Sequence, residues 1–220
     1  MKVCTDACVF GAWVASYINN KKITPENILD IGTGTGLLSL LLAQKTAAKI
    51  TAVEIDEAAA IQAQQNFQAS PWDNRLAVVN SPIQSFNPFH KFGLIISNPP
   101  FFNNNLQSPD DKRNQALHTT TLSYNTLINS AFNFLHDDGL LAVLLPFANA
   151  GEFIALALKE GLHLINHTKV RQTTTHDYFR SIMFFGKTIQ PCTTTEISIK
   201  ENNTYTTEFI ELLKDYYLYL

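Results

Sequence analysis

Asn98-Pro99-Pro100-Phe101 joins a side-chain amide, two prolines and an aromatic ring in consecutive positions. An amide oxygen accepts a hydrogen bond from an amine. The prolines restrict the backbone that carries the amide, and the ring supplies a flat stacking face. Together these groups suit a grip on a planar group bearing an NH2, followed by transfer of something onto that nitrogen. A rigid turn ending a strand is the plainer account, since Pro and Asn are common turn residues. It is the weaker one, because of a second cluster upstream.

That cluster is Asp30-Ile31-Gly32-Thr33-Gly34-Thr35-Gly36-Leu37, with Glu54 further on. Glycines let a backbone turn tightly and let a ligand approach closely. Alone, the triplet fits a plain strand-to-helix turn as well as a ligand cradle. Glu54, at the end of the next predicted strand, is placed to accept ribose hydroxyls, which tips the reading towards a nucleoside. Dinucleotide loops need glycine where Leu37 stands, so the pyrophosphate fingerprint is broken. Asp30 would be awkward beside a pyrophosphate but suits the ammonium of an aminoacyl-type cofactor. S-adenosylmethionine carries that cation together with a ribose and an adenine, so the loop favours it over NAD.

Both clusters need elements to hold them. Asn27–Ile31, Lys49–Glu54, Leu76–Val79 and Phe92–Ser97 read as strands, with an apolar helix over Leu37–Gln44 and an Ala/Gln-rich one over Glu57–Gln68. A polar loop over 103–113 precedes a helix around Tyr124–Leu135. Gly139–Leu145 is a near-continuous apolar run, the mark of a strand covered on both faces. A helix over Ala150–Lys159 and strands over Leu162–Val170 and Ser181–Gly186 follow. The last two lack a helix between them and should pair as an antiparallel hairpin. The Thr-rich stretch Thr193–Lys200 and a short aromatic helix over Glu208–Tyr217 close the chain. The expected fold is α/β, a doubly wound, Rossmann-like sheet of seven strands with an antiparallel C-terminal strand. Asn98 then falls at the carboxyl edge, where open α/β sheets bind ligands.

Composition narrows the partners. The chain has 220 residues, 45% hydrophobic, enough for one sizeable domain. A net charge of −3 argues against extensive coating of a duplex. Cys4, Cys8 and Cys192 have no metal-ligand spacing and read as inert thiols in a reducing cytosol. Ala7–Ile18 is apolar, but Asp6 intrudes and no clear cleavage site follows, so it reads as an amphipathic helix rather than a leader or a membrane span. Lys169, Arg171, Arg180 and Lys187 lie on or beside the final strands, where a local RNA-facing patch competes with a solvated edge.

Asp30–Gly36, Glu54 and Asn98–Phe101 together resemble the class I S-adenosylmethionine-dependent methyltransferases that methylate amines. The segments Lys2–Trp13 and Arg113–Thr119, the latter followed by Leu122-Ser123, are similar to the bacterial tRNA1(Val) adenine-37 N6-methyltransferases. The resemblance runs from Lys2 to about Leu145. It implies one methyltransferase domain over 1–220, with 1–24 as an N-terminal lid segment and 189–220 as a C-terminal extension. It also implies cofactor contacts by Thr5, Asp30, Gly32, Gly34, Gly36, Leu37, Glu54, Ile55, Asn80 and Ile83. Asn98, Pro99 and Phe101 would act on a flipped adenine, with the Asn98 side-chain oxygen and the Pro99 carbonyl accepting the N6 hydrogens. Thr5 and Asp6 serve equally well as a helix cap, and His118 reads as structural or phosphate-facing.

Two departures from the family stand out. Where the family often places an acidic residue near the cofactor adenine, this chain has Asn80-Ser81-Pro82-Ile83. Adenine contact then falls to Asn80 or to the backbone of Ile83. The family also carries a short segment ahead of its leading motif, whereas this chain begins at Met1, so either a start further upstream or a reduced lid is expected. The implied partner is tRNA, with no membrane and no metal, for a cytoplasmic monomer or weak dimer. The Asn-Pro-Pro-aromatic loop alone does not separate adenine N6 from guanine N2 or a protein glutamine amide. A binding module without chemistry is a further reading, and a nicotinamide oxidoreductase a distant one.

Overall fold

The computed structural model describes residues 4–100 and 122–219. Its strands are β1 Asn27–Ile31, β2 Lys49–Glu54, β3 Leu76–Asn80, β4 Phe92–Ser97, β5 Leu135–Pro146, β6 His163–Thr173, β7 Tyr178–Gly186, β8 Thr193–Glu201 and β9 Thr204–Tyr205. The helices are α1 Thr5–Asn20, α2 Leu37–Ala43, α3 Glu57–Gln68, α4 Tyr124–Phe134, α5 Ala150–Lys159 and α6 Thr207–Leu213. All strands join one sheet in the order β3-β2-β1-β4-β5-β7-β6-β8-β9. β1 to β5 run parallel, and β7 inserts antiparallel between β5 and β6.

β1 to β7 make the expected seven-stranded pattern, and the sheet continues beyond it to nine strands. The added β8 is the Thr-rich stretch. Its β-branched residues favour extended backbone. Ile197 and Ile199 alternate inward and are buried, while Glu196 is exposed and Ser198 and Lys200 are half-buried. β8 runs parallel to β6 and turns back through β9.

Two apolar layers cover the sheet. On one face α4 and α5 pack through Leu127, Ile128, Ala131, Phe153 and Ala157 onto Ile95, Leu141, Val143 and Phe185. On the other, α1, α2 and α6 share a layer with Ile28, Ile96, Ala142, Leu144 and Phe184. α1 departs from the one-sided amphipathic helix expected of it. It is buried continuously from Ala7 to Ala12 and again at Val14, Ala15 and Ile18. The cause is its position, with the sheet beneath it, α2 on one flank and α6 on another. A Cβ at Gly11 would stand 2.5 Å from Leu41 Cδ1, so α1 and α2 touch almost backbone to side chain. Tyr17 stacks on Phe184 with ring centroids 4.0 Å apart.

Candidate functional site

Parallel register brings the two clusters to one edge. Ile31 at the end of β1 stands opposite Val53 of β2 and Ser97 of β4. The residues that leave these strands, Gly32, Glu54 and Asn98, are therefore neighbours at the carboxyl end of the sheet.

The glycine loop is fixed by hydrogen bonds at its base. Gly32 and Thr33 N–H donate to the Val53 carbonyl at 2.8 and 3.2 Å. Gly34 N–H donates to Glu54 Oε2 at 2.8 Å, and Asp56 N–H donates to Glu54 Oε1 at 3.0 Å. Glu54 thus pins the loop, and each of its oxygens keeps a lone pair for a hydroxyl donor. Gly36 caps α2 with φ of +87°, and a Cβ there would meet Phe67 Cε1 at 2.5 Å. A Cβ on Gly32 would meet nothing within 4 Å, so open space lies beside the loop. Leu37 opens α2 and is half-buried.

Asp30 is fully buried. Its Oδ2 accepts from Thr33 Oγ1 at 2.6 Å and Ser39 Oγ at 2.7 Å, while Oδ1 has no hydrogen-bond partner among the described residues. Burial pushes its carboxyl up to about 6, against the pull of the Thr33 and Ser39 hydrogen bonds and with a further push from Glu54.

At the end of β3, Asn80 Nδ2 donates to the carbonyls of Glu54 at 2.9 Å and Ile55 at 3.2 Å. Ser81 N–H also reaches the Glu54 carbonyl, at 3.0 Å. The end of β3 is thereby stitched to the end of β2, Ile83 is buried beneath it and Ile55 is 45% exposed. An exposed Ile at this place offers an apolar face to a ring.

Asn98 follows a lock that the sequence alone does not single out. Ser97 is buried, and its hydroxyl donates to the Ile31 carbonyl at 2.8 Å, fastening the end of β4 to β1. The Asn98 side-chain oxygen is buried and has no hydrogen-bond partner among the described residues. Pro99 is buried and Pro100 exposed. Phe101, Arg113–Thr119 and His118 lie outside the described residues.

The expectations for Thr5 and Asp6 resolve differently. Neither caps α1: Cys4 occupies that position, and its side chain makes no capping hydrogen bond. Asp6 accepts from Arg180 Nε at 2.7 Å. Burial alone would raise its carboxyl, but hydrogen bonds from Cys4 and Arg180 and the Arg180 charge hold it below its ordinary value. Arg180 is opposite Pro146 at the end of β5, so the start of α1 sits at the same sheet edge. Thr5 is exposed.

The expected basic patch divides. Lys187 donates to the Leu135 carbonyl and Asp137 at the far end of the sheet. Arg180 serves Asp6 on the α1 face. Of the four, Lys169 and Arg171 share a face near the site edge.

The residues missed from sequence are those behind the predicted ones: Ser97, Thr33, Ser39 and Phe67. Thr33 and Ser39 carry a signal, being hydroxyls 3 and 9 residues beyond a strand-end carboxylate. Buried polar atoms are normally satisfied. Here two acceptors, Asp30 Oδ1 and Asn98 Oδ1, are buried and unpartnered at one edge among the described residues, with room for a Cβ at Gly32. A ligand presenting a cation to the first and an amine to the second fits this donor demand. S-adenosylmethionine with a planar NH2 acceptor meets both.

Residues 12–169 match the model of the methyltransferase small domain family. A tRNA1(Val) (adenine(37)-N6)-methyltransferase of Phocaeicola vulgatus is 37% identical over 99% of this chain and 91% of its own. One of the same name from Pseudoalteromonas translucida is 40% identical over 99% of this chain and 92% of its own. The crystal structure of a predicted O-methyltransferase from Agrobacterium tumefaciens superposes with a TM-score of 0.71 at 17% identity, covering 96% of each chain. That last likeness concerns the fold.

Proposed function

The chain belongs to the tRNA1(Val) (adenine(37)-N6)-methyltransferase family, and we propose that it transfers a methyl group from S-adenosylmethionine to the N6 amine of adenine 37 in tRNA1(Val). One observation carries the reading at the level of chemistry: the buried oxygen of Asn98 at the carboxyl edge of β4, unpartnered among the described residues.

An adenine inside a stacked strand cannot reach such a site, so it must be flipped out. The Asn98 side-chain oxygen and the Pro99 carbonyl then accept its two N6 hydrogens. Those bonds draw the nitrogen lone pair out of conjugation with the ring and aim it. Phe101 stacks on the base. Asp30 receives the cofactor's ammonium, Glu54 its ribose hydroxyls, and Ile55, Asn80 and Ile83 flank its adenine, with Gly32, Gly34, Gly36, Leu37 and Thr5 completing the contacts. When bound, the cofactor supplies an electrophilic methyl group. No general base precedes transfer, because the nitrogen becomes acidic only once it is alkylated. Catalysis rests on positioning and fixed dipoles.

The chain is read as one methyltransferase domain, with 1–24 forming a lid segment and 189–220 an extension. It works in the cytoplasm as a monomer or weak dimer. Among the described residues no helix is long and apolar enough to cross a membrane.

The test uses labelled cofactor and tRNA that lacks the modification. N6-methyladenosine in the digested tRNA is the expected product. N2-methylguanosine, or label in protein and none in RNA, overturns the reading. Asn98→Ala should lower kcat by about 10²-fold or more while S-adenosylhomocysteine binds as before in calorimetry. Retained turnover would show that Asn98 does not grip the amine.

A further inference from the structure

On the face of the sheet away from α1, β6 presents His167, Lys169 and Arg171, and β8 presents Glu196 and Ser198. The residues between them, Thr168, Val170, Ile197 and Ile199, are buried, so the set is a true outer face. Lys169 Nζ and the Arg171 guanidinium lie 5.4 and 5.6 Å from the Tyr178 ring centroid. Phe147, which leaves the end of β5, is 5.3 Å from Tyr178 and stacks towards His167 at 6.3 Å. The carboxylate on this face is Glu196, 3.5 Å from Arg171 and close enough to the Tyr178 hydroxyl to hold its pKa above the ordinary value. Ser198 accepts from Arg171 Nε at 2.8 Å, and His167 is bonded to Ser181 at 2.9 Å.

We propose that this face is the docking surface for the tRNA backbone, with Lys169 and Arg171 taking phosphates beside the flipped adenine. The inference rests on the methyltransferase reading above. Three properties favour a nucleic acid strand as occupant. Cations interleaved with aromatic rings are the surface that single-stranded nucleic acid prefers. The row lies at the carboxyl edge, because Lys169 and Arg171 stand opposite Ser181 and Tyr178, whose strand starts at that edge beside Pro146. β6 is three strands from β4 in the sheet order, about 14 Å at ordinary strand spacing, a reach of a few nucleotides from Asn98. A chain of net charge −3 needs such a local concentration of cations to hold RNA at all. The Arg171 guanidinium has five N–H donors, so its bonds to Ser198 and Glu196 leave some for a phosphate.

The test measures binding and methylation of unmodified tRNA by the wild-type chain, by Lys169→Ala/Arg171→Ala and by Glu196→Gln, across a salt series. The double variant should bind tRNA about tenfold more weakly and lose about 1.4 from the slope of log affinity against log salt, roughly 0.7 for each phosphate contact on a single strand. Its KM for tRNA should rise with kcat at saturation and S-adenosylhomocysteine affinity unchanged, a split that general misfolding would not produce. Glu196→Gln, which removes a carboxylate from the face, should tighten tRNA binding about twofold to threefold and serves as an independent reading if the double variant folds poorly. If the wild type methylates tRNA while the double variant keeps its affinity and slope, or Glu196→Gln leaves binding unaltered, the docking face is wrong. If the wild type leaves tRNA unmethylated, the functional reading falls and the docking face with it.

Discussion

Asp30 keeps a carboxyl group where its charged form is disfavoured, and this makes its proton a reporter on ligand binding. Its value of about 6 exceeds the ordinary 3.8. Between those values the folded protein holds a proton that the unfolded chain releases. Stability contributed by this group therefore falls as pH rises through the window, and the full cost is present above about 6. An ammonium placed beside Oδ1 reverses the preference, favours the carboxylate and expels the proton. S-adenosylhomocysteine affinity should thus be steady above pH 7 and drop about tenfold from pH 7 to pH 5, with proton release visible in calorimetry across buffers of different ionisation enthalpy. Asp30→Asn should bind weakly at pH 7 and show a flat profile in the same window. A steep profile in that variant would assign the proton elsewhere. Asp30 is legible in sequence because an acid at a strand end before glycines has few plain explanations. Ser97 is not, since a serine ending an apolar strand gives no sign of the carbonyl it will meet across the sheet at Ile31.

At the scale of elements, the loop between β1 and α2 depends on α3 behind it. Gly36 combines φ of +87° with a Phe67 ring that would lie 2.5 Å from any Cβ. Gly36→Ala adds backbone strain to a clash with a buried ring, and should destabilise the fold by about 2–3 kcal/mol, seen as a lower urea midpoint at unchanged slope. Gly32→Ala shares the positive φ but meets no atom, so it should cost less stability while impairing cofactor affinity. The strand boundaries of β1, β2 and β4 and the span of α3 are readable because apolar runs there end at turn residues or caps, as at Asp56, whose side chain accepts from Ala59 N–H. β8 is less readable, because all its residues but Ile197 and Ile199 are polar and its partner β6 lies across a turn and another strand. The all-round burial of α1 is hidden for a similar reason. What covers it includes α6, nearly the whole chain away in sequence.

The whole molecule is held together by contacts between its ends. α6 seats Phe209, fully buried, under the layer shared by α1 and the sheet, with Tyr205 stacked on it at 4.6 Å and Tyr217 edge-on at 6.4 Å. Lys45 pairs with Asp215 at 2.6 Å from α2's loop to the tail, an exposed link worth little beside the ring. Phe209→Ala should cost about 4 kcal/mol, measured by denaturant titration, whereas Lys45→Ala should change stability by less than about 1 kcal/mol. The fold class and the edge carrying the site can be inferred from the alternation of strands and helices. The closure of N-terminal helix on C-terminal helix cannot, since no local pattern encodes which distant surface a helix will meet. The strand order has a consequence for how the protein is made. β7 is synthesised after β6 but lies between β6 and β5. On the ribosome, therefore, the outer edge of Leu140–Leu145 waits unpaired until Gly186 has been added, a sticky rim on a nascent chain whose cofactor loop is already complete. A message truncated between Thr173 and Tyr178 would release a product that carries Asp30, Glu54 and Asn98 and aggregates along that rim.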